Sequence, residues 1–348
     1  MADLIVIIGV ILITGGNYIF TGWFIKYARL RRITDVPTER SSHTIPTPRG
    51  GGIGFVFITV IAFTIYFVWE GLLTSPTFIT MLVAISAIAC LGWFDDRNDL
   101  SQKVRLSVQL LAALGVIFFI DGLDTFFLPY ISYVQLGFTG TFFGLLWITG
   151  VTNIYNFMDG VDGIASVQAL SASFGWIIFS FIWNEPILLT VNLFIFVSVL
   201  SFLVYNWSPA RIFMGDVGSV YLGFLFGIMP FLAGALSDEL TVGMTIWIGA
   251  LVLWPFLFDG TFTLFRRLRN GENVFEAHRT HLYQRLNIIG WSHSKISTLY
   301  LTFSLITTLI ALFYIHEKDT IRLLLLILLL ALSFIYVKTV QWAESKSN

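Results

Sequence analysis

The chain has 348 residues, a formal net charge of −1, 56% apolar residues and only 12% charged residues. Soluble domains carry about 25% charged residues, so this chain cannot cover a water-facing surface, and a soluble enzyme is excluded. Its 34 Phe and 11 Trp exclude a disordered chain, and its near-neutral charge excludes the basic footprint of a nucleic-acid binder.

What remains is an all-α, polytopic transmembrane bundle of about 10–11 spans, read as one integral membrane domain over 1–348. The first apolar run, 4–25, lacks a basic leader and a small-residue cleavage site, so it is expected to stay as a span rather than be removed. A basic segment follows, and within it lies Ser41-Ser42-His43-Thr44-Ile45-Pro46-Thr47-Pro48-Arg49-Gly50-Gly51-Gly52. Two prolines and three glycines make a stiff turn and a hinge, which suits a loop folded over a site or a close helix contact. Spans at 52–70 and 77–94 come next. The lone cysteine, Cys90, lies in the second of these and is read as a small packing residue.

At the end of that span stands Asp95-Asp96-Arg97-Asn98-Asp99-Leu100-Ser101. Three carboxylates within five residues repel one another unless Arg97, Lys103, Arg105 or a divalent metal offsets them. Helix capping, with Ser101 opening the next span, is the structural alternative. A span at 104–120 precedes the weakest run, 131–152, which Gly137, Gly140 and Gly144 interrupt. The stretch 121–140 is read alternatively as an extracytoplasmic turn or hairpin before a shorter helix.

The segment 153–163 contains Asn153, Asn156, Asp159-Gly160 and Asp162-Gly163. Helical spacing stacks Asn153, Asn156 and Asp159 on one face. Amide and carboxylate oxygens suit a hard ion such as Mg²⁺. After spans at 164–183 and 187–205 comes Phe213-Met214-Gly215-Asp216-Val217-Gly218-Ser219, which opens the span 218–235. Asp216 is placed to cap that helix or to ligate a metal, and Phe213 to stack on a base. A span at 241–264 leads to a basic loop, 266–293, with His278, Arg279 and His281. Guanidinium and imidazole groups match phosphate and sugar hydroxyls, and lipid headgroups equally. Two last spans lie at 295–315 and 320–340.

Of the 20 Lys and Arg residues, alternation of these spans leaves only Lys318 and Arg322 on the side away from the motifs. By the positive-inside rule the motif side is cytosolic and the N-terminus extracytoplasmic. The carboxylates of the outer loops are scattered and read as solvated charges. No Walker A loop or dinucleotide fingerprint occurs.

From about residue 35 to 290 these motifs resemble the polyprenyl-phosphate N-acetylhexosamine-1-phosphate transferases, of the glycosyltransferase 4 type, and among them the O-antigen- and teichoic-acid-initiating branch. The His-Arg-Thr-His form at 278–281 differs from the His-rich loop of the related phospho-MurNAc-pentapeptide translocases. The resemblance implies a bacterial cytoplasmic (inner) membrane enzyme with its active site on the cytosolic face. It would transfer GlcNAc-1-phosphate or a 6-deoxy-HexNAc-1-phosphate from a UDP-N-acetylhexosamine to undecaprenyl phosphate and release UMP. The product would begin a lipid-linked cell-surface polysaccharide such as lipopolysaccharide O-antigen. Mg²⁺ is the implied cofactor, with Mn²⁺ as a substitute, and a homodimer is allowed for.

It also implies roles. Asn156 and Asp216 would hold the metal with the diphosphate, and Asp159 would organise that region. Phe213 would stack on uracil; Asp162 and Gly163 would contact the uridine, and Asn153 is grouped with the substrate-binding residues. Asp95 and Asp96 would sit by the lipid phosphate, Asp95 as base or positioner, with Arg105 binding phosphate. His278, Arg279 and His281 would contact the diphosphate or the sugar. A membrane transporter of a phosphorylated solute is the alternative; it would use charges at mid-bilayer and paired halves. No repeated halves are visible.

Overall fold

The computed structural model describes residues 2–37, 45–237, 240–273, 276 and 278–347. The Ser41–Thr44 part of the proline- and glycine-rich segment lies outside them, as does Arg40.

Thirteen helices dominate the described residues. In chain order they are α1 (Ala2–Arg31), α2 (Gly52–Trp69), α3 (Pro76–Asn98), α4 (Gln102–Phe119), α5 (Phe138–Phe157), α6 (Ile164–Ile182), α7 (Pro186–Asn206), α8 (Asp216–Leu236), α9 (Val242–Val252), α10 (Trp254–Arg269), α11 (Leu282–Ile288), α12 (His293–His316) and α13 (Asp319–Ser347). A short 3₁₀ turn at Leu72–Thr74 and two small antiparallel pairs complete the set. Strands β1 (Thr34–Asp35) and β2 (Thr47–Pro48) pair Thr34 with Pro48. Strands β3 (Thr125–Leu128) and β4 (Ser132–Gln135) form the hairpin allowed for before α5.

Nine described helices are long and apolar enough to cross a membrane, and α9 with α10 makes a tenth span broken by an 84° bend. The bend falls where Pro255, second in α10, removes a backbone donor. Helix α5 is absent from that set because its Gly, Thr and Asn residues lower its hydropathy. It nevertheless runs the depth of the bundle, from Gly140 against Leu123 to Asn156 against Asp216. With α5 included, the total is the eleven expected from the sequence. The expected span 241–264 is corrected to a broken one, and α11 has no counterpart among the expected elements.

Helix α8 is the axis of the bundle: 83% of its apolar window is buried. Without a hydrophobic drive between helices in lipid, close backbone approach does the packing, and small residues allow it. A Cβ on Gly92 of α3 would stand 2.6 Å from the Val217 Cα, and one on Gly223 of α8 would stand 2.8 Å from the Thr152 carbonyl oxygen of α5. On the outer helices large apolar residues such as Ile19, Leu30, Phe181 and Phe334 are exposed, as a lipid-facing surface requires. The alternating helices therefore bring the C-terminal ends of α3, α5 and α7 and the N-terminal ends of α2, α4, α6, α8 and α12 to one end of the bundle. The described residues of all five motifs lie there.

Candidate active site

The N-terminus of α8 is the centre of the site. Its first backbone N–H groups have no partner within the helix. Asp96, from the end of α3, accepts from the Asp216 N–H with Oδ1 and from the Val217 N–H with Oδ2, both at 3.0 Å. The carboxylate thus caps a helix other than its own. Gly215, at φ +75°, makes the turn that exposes those donors, and a Cβ there would meet Asp96 Oδ2 at 2.6 Å. Arg49 Nε pairs with Asp96 Oδ1 at 3.0 Å, and its Nη2 lies 3.5 Å from Asp216 Oδ1. Burial disfavours the Arg49 charge, but Asp216 and Asp96 outweigh it and hold the guanidinium above its usual range.

The Arg49 loop is laced to the loop before α8. The Phe213 N–H donates to the Pro48 carbonyl at 2.8 Å, and the Gly51 N–H donates to the Phe213 carbonyl at 2.9 Å. From α5, Asn156 Nδ2 donates to Asp216 Oδ1 and to Ser219 Oγ, each at 3.1 Å. A cleft of about 290 Å³ opens on these groups. Asn156, Asp159, Asp162, Phe213, Asp216 and Arg279 all line it.

Asp159 follows the end of α5. Burial, and then the nearby Asp216, push its carboxyl up to about 7 against the pull of Arg49. Asp162 behaves differently. Burial opposes its charge, but His293 overcomes that and lowers its pKa. Its Oδ1 lies 3.1 Å from His293 Nδ1, its Oδ2 accepts from the Ala210 N–H at 3.1 Å, and its carbonyl accepts from Ser297 Oγ at 2.7 Å. Asp162 therefore ties the α5–α6 turn to α12 and to the loop after α7. Gly163, at φ +77°, completes that turn as the N-cap of α6, with Trp207 alongside.

Several expected residues stand beside the cleft rather than in its lining. Asn153 Nδ2 donates to Gln109 Oε1 and to the Thr149 carbonyl, both at 2.7 Å, so it faces α4. Asp95 Oδ2 pairs with Arg105 Nη1 at 3.0 Å, and Asp95 Oδ1 accepts from the Leu100 N–H at 2.8 Å. Ser101 caps α4, as the capping alternative expected. His278 Nδ1 lies 3.0 Å from Thr280 Oγ1, and its ring packs 4.9 Å from that of His281. His281 is buried, 3.4 Å from Asp259.

Asp259 is the main residue that sequence reasoning missed. Fully buried on α10, it accepts from the Leu282 N–H (2.8 Å), the Tyr283 N–H (3.1 Å) and the Tyr300 hydroxyl (2.5 Å). It caps α11 from outside, as Asp96 caps α8. Tyr283 in turn donates its hydroxyl to the Phe157 carbonyl at 3.0 Å, which ties α11 to the end of α5. The signal was available: an Asp-Gly inside an apolar run. Asp35, Asn206, Gln284 and Asn287 also line the cleft. Gln284 and Asn287 fall in the basic loop 266–293 and Asn206 opens the segment that leads to Asp216, but the sequence assigned a role to none of them, nor to Asp35.

A divalent ion fits this donor set. Among the described residues no group of three or more His, Cys, Asp or Glu forms a ligand cage. The available atoms are oxygens of Asp216, Asn156 and Asp159, and the Asp159 carboxyl is pushed up first by its burial and then by the charge of Asp216. Few protein oxygens around excess negative charge match an ion that keeps waters and takes phosphate oxygens.

Residues 78–234 match the family model for glycosyl transferase family 4. The chain is 30% identical over 260 residues to a probable undecaprenyl-phosphate N-acetylglucosaminyl 1-phosphate transferase of Bacillus subtilis, covering 74% of this chain and 71% of that protein. It is 27% identical over 318 residues to the phospho-N-acetylmuramoyl-pentapeptide-transferase of Streptococcus pneumoniae D39, covering 83% of this chain and 92% of that protein. The namesake enzyme of Lactococcus lactis SK11 is 26% identical over 309 residues.

Proposed function

The chain belongs to glycosyl transferase family 4, and on that premise we propose that it transfers a HexNAc-1-phosphate from a UDP-sugar to undecaprenyl phosphate, with GlcNAc as the first donor and a 6-deoxy-HexNAc as the second. It is a multi-pass membrane enzyme of the polyprenyl-phosphate sugar-1-phosphate transferase type. The reaction would start a surface polysaccharide, O-antigen among them, on the cytosolic face of the bacterial inner membrane. The gathering of basic residues at the site end supports that orientation.

The observation that carries the reading is the convergence of Asn156 and Asp216, from distant helices, 3.1 Å apart in one cleft with Asp159, Arg49 and Arg279. A phosphate oxygen of the acceptor attacks the sugar-linked phosphorus of the donor. The bond from that phosphorus to the UMP oxygen breaks, and UMP leaves. Two anions must meet, so catalysis is chiefly charge neutralisation and alignment. Arg49 and Arg279 supply cationic charge at the cleft wall. Asp96 does not face the reactants with a vacant oxygen; it fixes the start of α8 and the Arg49 side chain, and so aims Asp216. An acceptor phosphate monoester is largely ionised at neutral pH, so no strong base is needed. Asp95, bound to Arg105 and the Leu100 N–H, then acts by holding the α3–α4 turn. Asn156, Asp216 and Asp159 would hold Mg²⁺, or Mn²⁺ in its place, and the ion would neutralise diphosphate oxygens as charge develops on them.

The test is UMP release and lipid-linked product from purified protein, Mg²⁺, undecaprenyl phosphate and a panel of UDP-HexNAc donors. Turnover with at least one donor, abolished by Asp216→Ala, is expected. Failure of every donor overturns the reading.

A further inference from the structure

Helix α11 forms part of one wall of the cleft, yet seven residues are too few to hold a helix by themselves. Its Gln284 and Asn287 line the cleft, three residues apart and so on one face. Asp259 and the Tyr283 hydroxyl fasten its start. Its middle is fastened from α13, the last helix of the fold. Arg285 Nε donates to Glu344 Oε1 at 2.6 Å, and Arg285 Nη2 donates to Glu344 Oε2. The two bonds form a fork, the geometry in which a guanidinium fixes a carboxylate in direction as well as distance.

The place of Glu344 on α13 shows which way its charge is turned. Leu329, Ser333, Tyr336 and Val340 are buried, whereas Leu330 and Phe334 are exposed. Spacing of three and four residues carries the buried stripe on to Glu344, so its carboxylate faces the bundle. The same stripe carries Tyr336, whose hydroxyl lies 2.9 Å from that of Tyr300, itself the donor to Asp259. Helix α13 thus reaches α11 twice, directly at Arg285 and through Tyr300 and Asp259 at Leu282. Arg266 adds a reason for the carboxylate. It lies near enough to feel both Arg285 and Glu344, and its Nη2 donates to the Thr280 carbonyl at 2.5 Å. Glu344 offsets two like charges that hold neighbouring parts of one segment. No motif marks Glu344, and the stretch that matches the family model ends at residue 234.

Resting on the transferase reading above, we propose that Glu344 is a positioning residue for the donor: through Arg285 it fixes how far α11 is turned about its axis, and so presents the Gln284 and Asn287 amides to the UDP-sugar. Gln284 precedes Arg285 by one residue, about 100° round the helix. A fork that locks Arg285 against α13 therefore keeps Gln284 from rolling out of the cleft. Glu344 touches no reactant. Its loss acts on donor binding and leaves the acceptor and the chemical step as they were.

The experiment is a double-mutant cycle on the full chain: Glu344→Gln, Arg285→Gln and both together. The readouts are KM for the UDP-sugar, KM for undecaprenyl phosphate and kcat, with Lys346→Gln, on the same helix, as the charge control. Loss of the partly buried fork predicts a rise of about fivefold in the donor KM of each single variant. The double variant should show the same rise and no more, since Glu344 acts only through Arg285. The acceptor KM and kcat stay at the parent values, and Lys346→Gln matches the parent throughout. A donor KM unmoved in Glu344→Gln overturns the proposal, as do single effects that multiply in the double variant, an acceptor KM that rises equally, or an equal rise in Lys346→Gln. A second arm follows peptides covering 282–288 by amide hydrogen exchange. They lose protection in Glu344→Gln while those of α8 keep it; unaltered protection overturns the proposal whatever the turnover. If the parent turns over no donor but 282–288 loses protection in this way, the clamp on α11 stands and the transferase reading falls.

Discussion

Asp259→Ala tests how the His278–Arg285 segment is held. The native carboxylate, wholly buried, accepts two backbone N–H bonds from the start of α11 and the hydroxyl of Tyr300. Hydrogen bonds to a charged group contribute about 1.5–3 kcal/mol each, so three lost bonds amount to roughly 5–9 kcal/mol. Removing a buried charge recovers several kcal/mol of desolvation, which brings the net cost to about 3–5 kcal/mol. Asp259→Asn keeps one acceptor oxygen and is expected to cost about half as much. The loss should be local, because α11 is seven residues long and has no stability of its own. The assay is amide hydrogen exchange by mass spectrometry on the detergent-purified protein. Peptides covering 282–288 should lose protection in Asp259→Ala while those from α8 keep it. The donor KM should rise with that loss, because Arg279 and Gln284 line the cleft. Unchanged protection of 282–288 in Asp259→Ala would refute the reasoning.

Gly92→Ala places a methyl 2.6 Å from the Val217 Cα, so α3 must move off the start of α8. Overpacking of this kind costs about 1–3 kcal/mol, read as a lower melting temperature with a larger loss of turnover, since Asp96 moves with α3. Asn156→Ala should weaken Mn²⁺ binding in the donor-free protein, measured by paramagnetic resonance, with melting temperature close to the parent's; unaltered Mn²⁺ affinity would remove Asn156 from the ligand set. His278 titrates at about 4 rather than 6.5, first through burial and then through the positive charges of His281 and Arg267. Its folded pKa is the lower one, so the unfolded chain takes the proton first. Stability is therefore full above about pH 6.5 and falls as pH drops from there toward 4. Melting curves at stepped pH should show that fall, and His278→Gln should flatten it.

The spans were legible because apolar runs near twenty residues have few other uses. The break at Leu253 was missed because hydropathy continues through Pro255, and only backbone bonding registers the loss of its N–H. Within the site, the sequence singled out Asn156 and Asp216, since amides and carboxylates at span ends are costly unless used, and the structure brings the two together. Asn153 shows the limit of that reasoning. Spacing of three residues put it on the Asn156 face, but α4 lies alongside and Gln109 takes its amide. His278 and His281 were expected at the substrate from residue type and from the family resemblance. The burial of His281 depends on where α10 brings Asp259, which no local pattern encodes.

Asp96 and Asp259 explain why carboxylates at this end of the bundle need not all be reactive. Each is spent on the N-terminus of a helix that begins far away in sequence, α8 for one and α11 for the other. Near the bilayer interface a helix start has little water to satisfy its donors, so an imported carboxylate is worth more there than on a soluble surface. The arrangement also fixes directions. With both Asp96 oxygens occupied by the α8 backbone, the Asp216 side chain is turned toward Asn156 and the cleft. With Asp259 holding Leu282 and Tyr283, Arg279 and Gln284 are brought to the opposite wall. Two carboxylates held by helix backbones thereby help to set the positions of the groups that line the cleft.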